Sequence, residues 1–320
     1  PRDLASLVWC FASMSIDHPR LRKTLGEGVK RSVRQLSAID LASIAWSLAI
    51  LQWHDGILDK IADATQLLPK RDLPVQALSN LAWSFATLQW KTASATSLLE
   101  TIALHGERSI GEFRAQDLAN TTWALASLTH RFAQQKAFMD AAANAAKDLI
   151  EKSQKNPKNL HSFTPQGISN IIWAMATVAV SSQKPLLDAF SASLEFQDLK
   201  TWKAQELSNT AWAFATLLVM DEMVLDTISE MALQQLEHFG FRHSANLVWA
   251  LATLEKTQEP LMQAIAQTAA ANAYELSPLS LASTAWASAS MSIICFPLLD
   301  VMAKILFRSP VDDGIATMAI

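Results

Sequence analysis

Glycine and proline are scarce in this chain: eight and eleven of 320 residues. Glycine at about 2.5%, against a usual ~7%, excludes a collagen-like build and argues against a loop-rich sandwich, leaving a mostly helical protein. Cysteine is rarer still. Cys10 and Cys295 stand at opposite ends, without a CxxC neighbour, so neither a disulfide framework nor a zinc site is expected, and a reducing compartment fits. A charge excess of one sign is missing too. The 26 Lys and Arg against 30 Asp and Glu give a net charge of -4, without the basic surplus of a non-specific polyanion binder. The longest uncharged apolar-leaning run, 281–299, is interrupted by Ser and Thr and by Pro297, so it reads as a buried helix followed by a turn, and no membrane span is expected. What the chain has is apolar surface: half the residues are hydrophobic and only 18% charged, which excludes disorder and supports a large core.

One phrase repeats. Trp9, Trp46, Trp83, Trp123, Trp173, Trp212, Trp249 and Trp286 each stand in a near-copy, among them DLASIAWSLAIL, ALSNLAWSFATL and ELSNTAWAFATL, at spacings of 37, 37, 40, 50, 39, 37 and 37. All eight copies keep a Ser or Asn three residues before the tryptophan and an alanine three after it. A second amphipathic pattern follows each phrase, as in GILDKIADATQLL and MVLDTISEMALQQL. Each unit therefore reads as a helical hairpin. Ser37, Thr164 and Ser277, nine residues before their tryptophans, mark helix starts, the last two followed by Pro165 and Pro278.

Two helices in about 37 residues cannot bury both faces alone, so successive hairpins must stack. The expected fold is all-α, a right-handed α-solenoid of about eight two-helix repeats spanning 1–308. The 50-residue interval places an inserted polar loop at about 151–161 (EKSQKNPKNLH), and the repeat pattern is lost in the tail 309–320. Because the first unit starts inside its motif helix, the chain reads as a piece of a longer protein.

At 100° per residue, the positions five before, two after and five after the tryptophan form an apolar stripe, which must face the second helix of the hairpin. Small residues four before, one after and three after occupy the two flanks and permit close stacking between units. The remaining arc holds the tryptophan, the Ser or Asn three before, usually a Ser or Thr four after, and the residue seven before, often Gln or Arg. Stacked motif helices turn these into parallel ladders. On this arc lie the candidate ligand-reading pairs Gln76 and Asn80, Gln116 and Asn120, Gln166 and Asn170, Gln205 and Asn209, and Arg242 and Asn246, with Thr177 and Thr216 beside them. Amides on such a surface can read base edges while aromatic neighbours supply stacking, about one nucleotide per unit. The competing reading has the tryptophans filling the seams and the amides bonding helix backbone. Base-reading positions should vary between units, which favours positions seven and six before the tryptophan, the latter including Asp40, Asp117, Glu206 and His243.

Two basic groups, Arg20, Arg22, Lys23, Lys30, Arg31 and Arg34, and Lys147, Lys152, Lys155 and Lys158, are either phosphate-neutralising patches or solvated second-helix faces. The seven histidines occupy no recurrent position and no pair has i, i+4 spacing; His54 and Asp55 read as a loop pair. Gly26 and Gly28 lack the spacing of a nucleotide loop. No catalytic residue, metal or cofactor is expected.

The LxNxxWAxAxL phrase at this period resembles the octotricopeptide and heptatricopeptide repeat families, related to the repeats beside RAP domains in FAST-kinase-like organellar proteins. The resemblance covers essentially all of 1–308, with Ser replacing Asn at Ser6, Ser43 and Ser283. It implies a non-catalytic α-solenoid that binds single-stranded RNA in a mitochondrion or chloroplast and acts on transcript stability, processing, translation or ribosome assembly. A protein scaffold in a large assembly, gripping a peptide on the same surface, is the alternative. A guiding arm for an appended enzyme is a third, and no RAP module lies within these residues.

Overall fold

The computed structural model describes residues 2–128, 132–155, 163–180, 183–194, 199–272 and 277–308, and among these it contains sixteen α-helices and no strand. They fall into two compact units, Pro1–Phe196 and Gln197–Ile320.

In the first unit the tryptophan phrases form α1 (Arg2–Ser13), α3 (Ala38–Ile50), α5 (Val75–Thr87), α7 (Ala115–Ser127) and α9 (Pro165–Val178), each packed on the next. The intervening helices α2 (Pro19–Ser32), α4 (Ile57–Leu67), α6 (Ala93–Arg108), α8 (Ala133–Lys155) and α10 (Gln183–Ser193) form a second row in the same order. The second unit repeats the pattern, with motif helices α11 (Ala204–Thr216), α13 (Phe241–Thr253) and α15 (Pro278–Ser290) beside α12 (Glu222–Gln234), α14 (Glu259–Ala271) and α16 (Phe296–Arg308). Contacts between sequential neighbours of this kind are those of a helical solenoid.

Two positions of the expected stripe, five before and two after the tryptophan, are buried through the inner motif helices, while the third, five after, is buried only at Leu88 and Leu128 and is exposed at Met14. Leu41, Leu48, Leu78, Phe85, Leu118, Leu125, Ile168, Met175, Leu207 and Phe214 are all buried, each worth roughly 1.5–3 kcal/mol of transfer free energy. The two flanks are not equivalent. In α1, whose described motif-helix neighbour is α3, the alanines four before and three after Trp9 are buried while Leu7, Cys10 and Met14 are exposed. In α15, packed on α13, the pattern inverts: Thr284 and Ala287 are buried, and Ala282 and Ala289 are exposed. Within each unit, a motif helix thus offers its small residues at positions four before and three after to its successor, and receives its predecessor on positions two before, one after and five after. A hydrogen bond from Ser79 Oγ, four before Trp83, to the Asp117 carbonyl of the next motif helix (3.3 Å) crosses a seam in this direction.

Both helix ends are specified locally. Ser37, Thr164 and Ser277 accept from the backbone N–H three residues on, as their sequence predicts, and Asp40, Asp117 and Glu206 return a carboxylate to the N–H of Ser37, Arg114 and Lys203. A single turn of 3-10 helix precedes five motif helices, Val33–Gln35, Lys70–Asp72, Ile110–Glu112, Leu199–Thr201 and Leu236–His238, each beginning thirteen residues before its tryptophan. At the other end, every non-glycine residue with positive φ among the described residues, Ser15, Gln52, Gln89, Ala179, Leu218, Glu255 and Ser292, stands six after its tryptophan. The following residue donates to the carbonyl two after the tryptophan, as in Trp53 N to Leu48 O (2.9 Å) and Val219 N to Phe214 O (2.9 Å), completing a Schellman turn.

Two expectations need correction. The inserted loop does not begin at Glu151: α8 runs through Lys155, with Lys147 bridging to Glu151 at 3.0 Å within it, and 156–161 lie outside the described residues. The run 281–299 is α15, a Schellman turn and the start of α16, but α15 exposes one flank rather than being buried. Among the described residues no helix is long and apolar enough to cross a membrane. The tail 309–320 lies outside them.

Candidate nucleic-acid interface

The position seven before the tryptophan is the second residue of the seven motif helices after α1, and its side chain points into solvent in each: Ile39, Gln76, Gln116, Gln166, Gln205, Arg242 and Leu279. One turn further on, Asn80, Asn120, Asn170, Asn209 and Asn246 are half-buried, and so are the six inner tryptophans from Trp46 to Trp249. Trp9 and Trp286 are more open, at 49% and 47% exposure. The tryptophans are therefore neither sealed in the seams nor bare; each presents part of its ring on the face turned away from the second row. No carboxylate occupies the positions seven before, three before or four after any of the eight tryptophans.

In the first unit this face carries a cavity of about 200 Å³, walled by Trp9, Ile39, Ala42, Ser43 and Trp46 from α1 and α3 and by Gln76, Ala77 and Asn80 from α5. Gln76 and Asn80 share the cavity with Trp46 of the preceding phrase, so this grouping straddles a seam instead of belonging to one hairpin. A helical wheel treats one helix at a time and holds no signal for this. Ile39, apolar at the position where four later units carry glutamine, makes this cavity drier than a purely amide-lined one.

Two positions expected to read a ligand are committed elsewhere. Six before the tryptophan, Asp40, Asp117 and Glu206 return to their own helix N-termini, while Ala77, Gly167 and Ser280 are buried. His243, at the same position, has its pKa held below the ordinary histidine value by burial and then by the Arg242 charge, with Glu206 pulling the other way. Four after the tryptophan, Ser127, Thr177 and Thr216 donate to the carbonyls of Trp123, Trp173 and Trp212 at 2.7–2.9 Å. Those hydroxyls serve the helix.

The basic groups lie on the second row. Arg20, Arg22, Lys23, Lys30 and Arg31 belong to α2, where Lys30 pairs with Asp55 (3.1 Å), Arg31 Nε donates to the Glu27 carbonyl (3.2 Å) and the Arg22 guanidinium stacks over Trp53 at 5.4 Å; Arg34 follows in the 3-10 turn. Asp55 stands beside His54 in the loop before α4, and besides pairing with Lys30 it accepts from the Ile57 N–H (3.1 Å). Lys147, Lys152 and Lys155 are on α8, with the pKa of Lys147 raised by its hydrogen bond to Glu151; Lys158 lies outside the described residues. Gly26 and Gly28 are inside α2. Among the described residues no three His, Cys, Asp or Glu side chains gather as a metal site.

Compared with known proteins, the chain matches no protein-family model and has no significant match to a curated protein.

Proposed function

We propose that the chain is a non-catalytic helical-repeat protein that binds single-stranded RNA along the exposed face of its motif helices, within a right-handed solenoid of eight two-helix repeats. One observation carries this reading. Gln76, Gln116, Gln166, Gln205 and Arg242 stand clear of the surface, one turn from half-buried asparagines and partly open tryptophan rings, and where a cavity forms, its walls include two indoles and two amides beside Ile39 and small side chains. A nucleobase offers a π face to the first and a hydrogen-bonding edge to the second. The absence of carboxylates from the strip removes the repulsion a phosphate chain would meet. A role in mitochondrial or chloroplast transcript processing, stability, translation or ribosome assembly extends the proposal through the resemblance of the repeated phrase.

The second reading is a protein scaffold of a large assembly, and the placement of charge favours it: the basic groups of α2 and α8 lie on the second row, away from the strip. Half-buried asparagines can hold an extended peptide backbone as readily as a base edge. Fluorescence anisotropy with short single-stranded RNAs separates the two. RNA binding through the strip predicts affinity that falls steeply with salt, and a Gln166→Ser, Gln205→Ser double variant that changes base preference more than overall affinity. Failure to bind RNA at low salt, or binding indifferent to both salt and the double variant, overturns the RNA reading.

A further inference from the structure

We propose that the cavity walled by α1, α3 and α5 is an adenine subsite, in which the base stacks on the indole of one repeat and is read by the carboxamides of the next. This rests on the RNA reading above and adds to it which base is taken and which repeat reads it. Trp46 enters the cavity from α3, while Gln76 and Asn80 enter from α5. Neither amide is committed to the protein. Among the described residues the Gln76 and Asn80 side chains have no hydrogen-bond partner, whereas Ser127, Thr177 and Thr216, on the same face of other motif helices, donate to their own helix backbone. At about 200 Å³ the cavity is smaller than the roughly 300–1,000 Å³ of sites that enclose a drug-sized ligand, so it takes a single base and leaves ribose and phosphate outside.

The lining selects among the bases. A carboxamide matches the N6 donor and N7 acceptor of adenine together, whereas guanine calls for arginine or lysine and cytosine for a carboxylate. No Arg, Lys, Asp or Glu lines the cavity. Uracil offers the indole a smaller ring to stack on. Ile39 and Ser43 hold in α3 the places that Gln76 and Asn80 hold in α5, and they line the same cavity beside Trp9. With no carboxamide between them, they serve as a wall that keeps water from the reading amides, and a hydrogen bond gains strength in such a drier setting. The same offset of one repeat assigns Gln116 and Asn120 to a base on Trp83.

Proton–nitrogen correlation NMR of the tryptophan indoles reads each site separately, with Trp46→Phe and Trp83→Phe identifying the two signals. Titration with AMP should shift the Trp46 signal with an apparent Kd at least about fivefold lower than that of GMP, CMP or UMP. Gln76→Arg changes an exposed residue and leaves the packing alone. It should exchange the preference at Trp46 for GMP, while Trp83 keeps its preference for AMP. A Gln76→Arg variant that alters Trp83, on its own helix, and leaves Trp46 unchanged overturns the reading across the seam. Mononucleotides that leave Trp46 unmoved, or that all shift it equally, overturn the adenine subsite. In these cases anisotropy with labelled oligo(A) and oligo(U) tells the two proposals apart: salt-sensitive binding leaves the RNA reading standing without this subsite, and no binding removes both.

Discussion

Thr121 and Thr210 occupy a position where Ile44, Leu81, Ile171 and Leu247 bury an aliphatic side chain, and each carries a fully buried hydroxyl with no hydrogen-bond partner. An unsatisfied buried hydroxyl costs free energy that a methyl group of the same shape does not. Thr121→Val and Thr210→Val should therefore each raise the unfolding free energy by about 1 kcal/mol, seen as a higher denaturation midpoint at unchanged slope. His243 gives a prediction with a direction in pH. Its folded pKa lies below the unfolded value of about 6.5, so the unfolded chain takes up the proton first, and stability is lost as the pH drops through that value toward the folded one. Thermal melts between pH 8 and pH 5 should show a smaller acid-side loss for His243→Gln than for the wild type. At this scale the exposed glutamines were legible, because a wheel places a residue on a face from its spacing alone. The partnership of Gln76 and Asn80 with Trp46 was not, because it depends on how two helices meet.

Among the elements, the turns that close the motif helices carry the least sequence signal. A left-handed residue at a helix end ordinarily announces itself as glycine, but here the positions are filled by Ser15, Gln52, Gln89, Ala179, Leu218, Glu255 and Ser292. Gln52 and Gln89 compensate in part by donating a side-chain hydrogen bond to the carbonyls of Ala49 and Ala86 (2.8 and 2.9 Å). Leu218 has no such group, and its side chain is 74% exposed. Leu218→Gly should relieve the left-handed strain and stabilise the second unit by about 0.5–1 kcal/mol in urea unfolding. The helix starts at Ser37, Thr164 and Ser277 were readable, since a hydroxyl residue before an apolar helix, twice followed by proline, has a definite mechanism. Glycine matters for another reason in α6. A Cβ on Gly106 would lie 2.8 Å from Phe138 Cε2 and 3.2 Å from Phe113 Cζ, inside the aromatic pair that joins α8 to the turn after α6. Gly106→Ala should cost roughly 1–3 kcal/mol, despite the better helix propensity of alanine, and chemical denaturation checks the sign.

At the scale of the whole molecule, the order of helices along each row within either unit is the order along the chain, which a fixed period already implies. The direction in which each seam is built was not implied, because it is recorded in which flank is exposed at α1 and at α15. Contacts this local limit how far damage spreads. Hydrogen exchange on Gly106→Ala should show lost protection in α6, α7 and α8, with α13 and α14 exchanging at wild-type rates; a uniform loss across both units would contradict local cooperativity.

The inequality of the two flanks also bears on ancestry. Since, within each unit, a motif helix hands its successor the surface it would itself require of a predecessor, an in-frame duplication or excision of one 37-residue period leaves no mismatched joint. Such a lineage can lengthen or shorten by recombination in whole modules while its interior chemistry stays as it was. Selection is then free to diversify the solvent-facing residues copy by copy, as Ile39, Gln76, Arg242 and Leu279 already illustrate.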